Sequence, residues 1–405
     1  SRARRNAEGR ENGESALLRV VTVAEERYLR RERVPEHAAS EPDRILARPE
    51  EFAQQPRARS ARACWTNWHL PQLTAHDGLL RANHPALQRV LRRPLSATRL
   101  RALARDPLGF VWRYVLGWEA PAAEQEPLAL DRQAYGELLH RVLERALIRL
   151  EQESGLAGAA CDRIERAVDA ALAATVAEHE TAEPVPPRIL WRRTQREIRQ
   201  LAIDALTYPE PPLPGQRSFA EVAFGEGSSP TRATDRPAPW NSATVVRIPR
   251  TDLTITGRID RLDLCADRSV ARVTDYKTGK PPAPRKAIVV NGGAELQRCL
   301  YAFAVQAMLG PQIEVQARLL YPGESGRLLD MEAPRERLGE IARYLATARD
   351  HLLAGRALPG PGTAEFDGDP LRFVLPGNAK AVYLEMKRPL AASELVPLPE
   401  LWELP

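Results

Sequence analysis

Two short segments place carboxylates and a lysine where they could act together on one substrate. Residues 256–263 read TGRIDRLD, and residues 273–280 read VTDYKTGK. Both segments favour strands. Residues two apart share a face of a strand, so Asp275 and Lys277 point the same way. The short connection at residues 266–268 predicts an antiparallel hairpin that brings Asp260 alongside them.

Two convergent carboxylates beside one ammonium group are typical of a site for a hard divalent cation. Oxygen ligands of this kind favour Mg2+ or Mn2+ over zinc. Such an ion polarises a phosphoryl oxygen and ionises a bound water, while Lys277 can orient that water and offset developing charge. The predicted chemistry is phosphodiester hydrolysis. Taken alone, an Asp-x-Lys pair on a strand is more often a solvated ion pair, so the context must decide.

The lysine is distinctive because the chain uses arginine almost everywhere else. Five lysines stand against 53 arginines, and three of the five lie within residues 277–286. A compact ammonium group can shift its pKa and handle a proton, which a guanidinium group cannot. The composition therefore favours a chemical role for Lys277.

Three further segments carry polar residues that could belong to the same site. His140 lies at the edge of an amphipathic helix, with Gly136 one turn earlier leaving space beside it. Glu221 lies in the strand-like run FAEVAF, and Gln297 and Tyr301 are four apart on one edge of a helix. Taken singly, a histidine in such a helix is more often structural. Glu221 could equally face solvent, and Gln297 with Tyr301 could be a plain surface pair.

The motifs Gly-x-x-x-His, Gly-x-Ile-Asp, Asp-x-Lys and Gln-x-x-x-Tyr follow one another in this order over some 165 residues. This series resembles the PD-(D/E)xK nuclease superfamily, and most closely the RecB-like nuclease domain of AddB-type helicase-nuclease subunits. The resemblance implies an α/β fold with a restriction-endonuclease-like core, a mixed central sheet flanked by helices, and a mostly helical N-terminal extension.

The resemblance also implies the roles of individual residues. Asp260, Asp275, His140 and the carbonyl of Tyr276 would bind the metal ion, and Lys277 would position or deprotonate the attacking water. Gln297 and Tyr301 would support the lysine and contact DNA, and Glu221 would belong to the catalytic set. Lys280, Arg285 and Lys286 could contact backbone phosphates, although a solvated basic loop is comparably typical of such residues.

The implied function is that of a Mg2+-dependent (or Mn2+-dependent) DNA nuclease. It is expected to be an exonuclease that acts on single strands delivered by an AddA-type helicase-nuclease partner during double-strand-break repair. The alternatives are a catalytically silent, nuclease-like DNA-binding subunit and a Cas4-like nuclease. No Gly-x-x-x-x-Gly-Lys-Ser/Thr motif occurs, so a motor would have to come from a partner.

An iron-sulfur cluster is not expected, although many AddB-type domains hold one. Asp106-Pro107 stands where the family has Cys-Pro, and no cysteine follows Cys299. Four thiolates are needed for such a cluster, and the four cysteines of this chain are widely scattered.

The composition of the chain limits the class of protein it can be. The chain has 405 residues, of which 43% are hydrophobic and 27% charged, which excludes global disorder. A net charge of +5 permits an anionic partner without requiring one. No run of about 18 apolar residues occurs, and the first residues lack the apolar core of a signal peptide, so a soluble cytoplasmic protein without membrane contact is expected.

The order of elements predicts three parts. Residues 1–95 form an Arg-rich helical extension, expected to be the end of a helicase-like region; residues 96–375 form the nuclease domain; and residues 376–405 form a C-terminal tail. Within the middle part the patterns predict helices at 131–153, 161–180, 189–206, 295–309 and 334–353, and strands at 219–224, 243–248, 253–265, 269–276 and 314–321.

Overall fold

The structure is a computed structural model, and it describes seven stretches of the chain. These are residues 40–119, 128–226, 238–281, 289–323, 328–365, 374–376 and 382–405. Arg285 and Lys286 lie outside the described residues. Among the described helices, none is long and apolar enough to cross a membrane.

The first half of the chain is helical. Three helices precede residue 70, two flank residue 95, and a short helix continues into a π-helical turn at Val111–Val115. Three long helices follow. In chain order they are α1 Glu41–Leu46, α2 Pro49–Gln54, α3 Pro56–Trp68, α4 Pro85–Leu91, α5 Ala97–Arg105, α6 Pro107–Phe110, α7 Arg132–Gln152, α8 Cys161–Ala182 and α9 Arg188–Leu206.

The second half carries all the strands of the described chain. In chain order its elements are β1 Arg217–Phe224, β2 Val246–Arg247, β3 Thr254–Ile255, β4 Gly257–Leu264, β5 Val270–Tyr276, α10 Gln297–Leu309, β6 Glu314–Leu320, β7 Leu328–Met331, α11 Pro334–Leu353, α12 Leu384–Glu394 and α13 Leu398–Trp402.

The central sheet is mixed and has five strands in the order β1-β4-β5-β6-β7. Strands β1, β4 and β5 pair antiparallel, β5 and β6 pair parallel, and β6 and β7 pair antiparallel. A parallel pair needs a crossover, and α10 supplies it between β5 and β6. The predicted hairpin of β4 and β5 is confirmed, and its register pairs Arg261 with Thr274.

Helices cover both faces of this sheet. On one face, α7, α8 and α9 share a core with Tyr276 of β5 and Leu320 of β6. On the other face, α10 and α11 pack on a core that includes Ala271 and Val273 of β5. Side chains of a strand alternate between faces, so β5 serves both layers and is buried along almost its whole length. The mixed α/β architecture predicted from the sequence is therefore confirmed.

The predicted long helix α7 forms because its sequence has both a cap and a wide apolar stripe. The Asp131 side chain accepts a hydrogen bond from the Ala134 backbone N–H at 2.8 Å, which caps the first turn. Seven buried apolar residues then recur at spacings of three and four: Leu138, Leu139, Val142, Leu143, Ala146, Leu147 and Leu150.

Several predicted boundaries differ from the structure. The predicted strand at 253–265 is split at Thr256, whose backbone N–H donates to the Leu95 carbonyl at 3.1 Å instead of to the sheet. The predicted strand at 243–248 shrinks to β2. Strand β7 and helices α12 and α13 were not predicted, since their short segments carry no long periodic pattern.

The segments on both sides of residues 96–375 contribute to the same core as the sheet. Leu87, Leu91 and Leu95 belong to this core, and so do Leu398 and Leu401 near the C-terminus. A boundary drawn at residue 95 or 376 therefore passes through shared packing.

Candidate metal and hydrolytic site

Three carboxylates occupy one line across three neighbouring strands. The register pairs Ala220 with Arg261 and Val222 with Ile259, so Glu221 of β1 stands opposite Asp260 of β4. Arg261 of β4 pairs with Thr274 of β5, so one residue further along the two antiparallel strands Asp260 and Asp275 stand opposite each other. The hairpin therefore brings Asp260 beside Asp275, as the sequence predicted.

The strand pair β1–β4 is kinked where Glu221 and Asp260 meet. Glu221 has φ +49°, a left-handed conformation that costs a non-glycine residue about 1–2 kcal/mol. Phe219 and Val222, three residues apart, enter the same core, although regular alternation would place them on opposite faces. The kink interrupts the ladder at the position of the two carboxylates.

His140 of α7 faces these two carboxylates. Its Nδ1 atom lies 3.4 Å from Asp260 Oδ1 and 3.8 Å from Glu221 Oε1. One ligand atom from each of His140, Glu221 and Asp260 lies within 4.8 Å of the others. Two carboxylates at this spacing fit a hard divalent cation such as Mg2+ or Mn2+, and the imidazole nitrogen beside them is available as a further ligand.

The pKa of His140 shows that the carboxylate cluster attracts positive charge. Burial alone would lower the pKa of the imidazole, but the neighbouring carboxylates, with Asp260 foremost, raise it to about 11. A proton on His140 thus offsets the clustered negative charge. A metal cation bound between the same groups would take over that role, because a ligating histidine must be neutral.

Asp275 and Lys277 form a second group beside the first. Lys277 Nζ lies 2.6 Å from Asp275 Oδ2 and also donates to Gln297 Oε1. Gln297 Nε2 in turn donates to Asp275 Oδ1 at 2.9 Å and lies 3.3 Å from the Tyr301 hydroxyl. The predicted arrangement of an amide that supports the lysine is therefore present, and all four side chains form one network.

Burial and charge shift the pKa values of this network. Burial, reinforced by Asp260, raises the pKa of Asp275 well above its usual range. Burial would lower the pKa of Lys277, but Asp275 outweighs it, and the net pKa of the lysine is raised. Lys277 is therefore held as an ammonium group in the metal-free protein.

Tyr276 contributes its backbone to the carboxylates, and its ring meets the His140 ring edge to face at 6.3 Å. Its N–H donates to Asp260 Oδ2 at 2.8 Å, which fixes that carboxylate. Its ring points to the opposite face and packs in the core of α7, α8 and α9, where burial raises the pKa of the phenol to about 12. The side chain is thus away from Asp275 and Lys277.

Two features of the site differ from what the sequence patterns predict. Glu221 lies with His140 and Asp260 as a potential metal ligand, whereas the predicted second carboxylate, Asp275, is engaged by Lys277 and Gln297. Arg258 lies 3.9 Å from Glu221 Oε2 and 3.8 Å from Glu226 Oε1 at the margin of the site. The only available signal for Arg258 was its place two residues before Asp260.

Lys280 is exposed and follows β5 by four residues. Its position next to an exposed glycine leaves it accessible to a ligand, and a phosphate contact remains a prediction. Its two predicted companions, Arg285 and Lys286, lie outside the described residues.

The fold and the site together define a class of protein: an α/β nuclease fold with a restriction-endonuclease-like sheet and a carboxylate cluster at its centre. The sequence profile of the PD-(D/E)XK nuclease superfamily matches residues 94–364, which include every residue of the site. The chain therefore belongs to the PD-(D/E)XK nuclease superfamily. A comparison with curated proteins finds no significant match. Members of this superfamily are generally metal-dependent nucleases.

Proposed function

We propose that the protein is a Mg2+-dependent deoxyribonuclease that hydrolyses phosphodiester bonds. The observation that carries the proposal is the adjacency of two groups across β4 and β5: the carboxylate-imidazole cluster of His140, Glu221 and Asp260, and the Asp275-Lys277-Gln297 network. A structural ion pair needs neither the histidine nor the second and third carboxylates.

Each side chain has a proposed task. His140, Asp260, Asp275 and the Tyr276 carbonyl would hold the metal ion, and Glu221 would be available as a further carboxylate ligand. A divalent cation in this place supplies Lewis-acid polarisation of the phosphate and a more acidic water. Lys277, held as an ammonium group by Asp275, orients the attacking water and offsets the charge that develops at phosphorus. Gln297 fixes the lysine, and Tyr301 fixes Gln297.

We further propose that the enzyme is an exonuclease of the AddB type that receives single strands from an AddA-type helicase-nuclease subunit during double-strand-break repair. The order of motifs in the sequence supports this assignment. Residues 96–375 would form the nuclease domain, residues 1–95 the end of a helicase-like region, and residues 376–405 the tail. Lys280, Arg285 and Lys286 would contact DNA phosphates. An iron-sulfur cluster forms no part of the proposal, and iron and sulfide analysis of anaerobically purified protein would detect one.

The test is cleavage of end-labelled single-stranded and duplex DNA with Mg2+, with Mn2+ and with EDTA. We expect metal-dependent cutting by the wild type and a loss of at least about a hundredfold in Lys277→Ala and Asp275→Ala, since each removes transition-state stabilisation. Lys280→Ala is the matched control, because it removes an exposed lysine three residues away and should lose affinity rather than turnover.

Two outcomes would contradict the proposal. Cutting that persists in EDTA would exclude a metal-dependent mechanism. Retained DNA binding without cutting under any metal would instead favour the catalytically silent DNA-binding subunit.

A further inference from the structure

Four of the seven tryptophans of the chain precede the first catalytic motif in the sequence, and two of these four border one small apolar cluster. Trp68 of α3 and Trp112 of the π-helical turn pack against one small cluster formed by Ala364, Leu375, Tyr383 and Leu384. Each has a second tryptophan beside it: Trp65 one turn earlier on α3, and Trp118, whose backbone N–H donates to the Trp112 carbonyl at 2.9 Å.

We define Trp65, Trp68, His69, Trp112 and Trp118 as the tryptophan face. Its rings form two pairs. The rings of Trp65 and His69 have centroids 4.3 Å apart, and those of Trp112 and Trp118 are 6.5 Å apart and nearly parallel, at 18°. One tryptophan of each ring pair is open to solvent: 55% of the surface of Trp65 and 45% of the surface of Trp118 are exposed.

Core packing does not account for these exposed indoles. Helix α3 has no fully buried residue. Large aromatic side chains are usually at least half removed from water, so an exposed pair of indoles beside two partly buried ones marks a binding surface rather than a core margin.

The charge on α3 favours an anionic ligand. Arg57, Arg59 and Arg62 project from α3 as exposed side chains. Residues 53–76 contain no aspartate or glutamate. Arg62 lies three residues before Trp65 and seven before His69, so these three side chains share one side of the helix. A guanidinium group and an aromatic platform are thus presented together.

We propose that the tryptophan face binds single-stranded DNA, with bases stacked on Trp65 and Trp118 and backbone phosphates contacted by Arg62 and its neighbours. Planar aromatic side chains combined with arginines are the recurrent means of holding single strands without sequence preference. A duplex hides its bases and offers no such contact. This inference rests on the proposed function and deepens it, because it assigns a place where a single strand is held outside the hydrolytic site.

The test measures binding of fluorescein-labelled dT20 to the full chain by fluorescence anisotropy in EDTA, where no cleavage is expected. A 20-mer of abasic sites serves as the second probe. We expect Trp65→Ala and Trp118→Ala each to weaken dT20 binding by about tenfold while affecting the abasic strand little, since stacking needs bases. Trp65→Phe should recover most of the affinity. Arg62→Ala should weaken both probes and reduce the salt dependence.

Matched controls lie on α9. Ile189→Ala removes an exposed apolar side chain and Arg192→Ala an exposed guanidinium group, and both should bind like the wild type. Unchanged dT20 affinity in both tryptophan variants would overturn the inference, as would equal losses for dT20 and the abasic strand. A tryptophan face that serves a protein partner instead would give the first of these results.

Failure of this inference is distinguishable from failure of the proposed function. Metal-dependent cutting together with unchanged dT20 binding in the variants would leave the nuclease and remove the stacking surface. Base-dependent binding without cutting under any metal would leave the stacking surface and remove the nuclease.

Discussion

At the scale of single residues, the site depends on close contacts that a small change would disturb. Gly257, in the GRID segment, lies under two aromatic rings, and a Cβ atom there would stand 2.7 Å from Phe224 Cζ and 3.1 Å from Tyr301 Cε1. The two rings meet edge to face at 5.7 Å. Because the Tyr301 hydroxyl contacts Gln297, the glycine indirectly sets the position of Lys277.

Gly257→Ala is therefore expected to reduce cleavage by at least about tenfold while the protein stays folded, because a displacement of about 1 Å at catalytic groups is costly. The measurement is kcat on a labelled single strand beside circular dichroism. Gly279→Ala is the control, since a Cβ atom at Gly279 meets no other atom within 4 Å. Equal activity of the two variants would show that Tyr301 does not transmit the change.

His140 predicts a pH dependence of metal binding. Its pKa of about 11 in the metal-free protein means that a proton must leave before the imidazole can bind the ion. Metal affinity should therefore rise with pH, with release of about one proton per ion near pH 8. Calorimetry in buffers of different ionisation enthalpy measures this release, and His140→Gln should abolish it. Proton release that persists in the variant would assign the proton to another group.

The same group also links pH to stability. A histidine whose folded pKa is raised stabilises the fold fully below its unfolded pKa of about 6.5, and that contribution disappears as pH rises towards 11. The metal-free protein should therefore become easier to unfold with urea as the pH rises above about 6.5, and this slope should flatten in His140→Gln.

At the scale of elements, a buried charge network holds the sheet to the connector after α9. The Glu210 carboxylate accepts a hydrogen bond of 2.9 Å from Arg261 and another of 2.9 Å from Arg318. It also lies 3.4 Å from the Arg272 guanidinium group. Arg261 also lies 2.8 Å from Asp263. Burial would raise the pKa of Glu210, but the three arginines hold it below its usual value, so the carboxylate stays charged.

Glu210→Gln should lower the free energy of unfolding by about 3 kcal/mol, because it leaves three clustered guanidinium groups short of negative charge. Urea denaturation measures the loss. Glu314→Gln, at the exposed start of β6, is the control and should change stability by less than about 0.5 kcal/mol. A change of similar size in both variants would indicate that the network contributes no more than a surface charge.

At the scale of the whole molecule, the two ends of the described chain meet through a buried ion pair. Lys387 of α12 and Asp77 are both fully buried, with Lys387 Nζ 3.0 Å from Asp77 Oδ2. The same ammonium group donates to the carbonyls of Asn67 at 3.1 Å and Gln72 at 2.7 Å. Helix α12 is thus tied to the end of α3 and to the segment that follows it.

Lys387→Met should destabilise the protein by about 3–5 kcal/mol, because Asp77 would remain buried without its partner. Thermal unfolding measures the effect. The double variant Lys387→Met with Asp77→Leu should recover part of the lost stability, because it removes the unpaired carboxylate. If the loss came only from poor packing of methionine, the second substitution would recover nothing. Lys280→Met, at an exposed site, is the control.

A second pair joins the same regions of the chain. Asp106 accepts hydrogen bonds from Thr363 Oγ1 at 2.5 Å and from the Gly109 backbone N–H at 3.0 Å. Packing and hydrogen bonds therefore connect the helical start of the domain with its C-terminal part.

The sequence by itself determined the parts of the site that depend on local periodicity. Strand alternation places Asp275 and Lys277 on one face, a short connection returns the chain beside Asp260, and helical spacing places Gln297 one turn from Tyr301. These relations follow from backbone geometry alone, so they could be predicted before any tertiary contact was known.

Only the tertiary structure decided which groups meet across long distances in the chain. The kink at Glu221 and the approach of α7 bring Glu221 to His140, and neither can be predicted from spacing because both result from the packing of helices on the sheet. The contribution of Leu91 and Leu401 to one core, and the packing of Trp68 and Trp112 against one small cluster, have the same origin. Such contacts depend on how the buried apolar surfaces of separate elements fit together, and no local pattern records that fit.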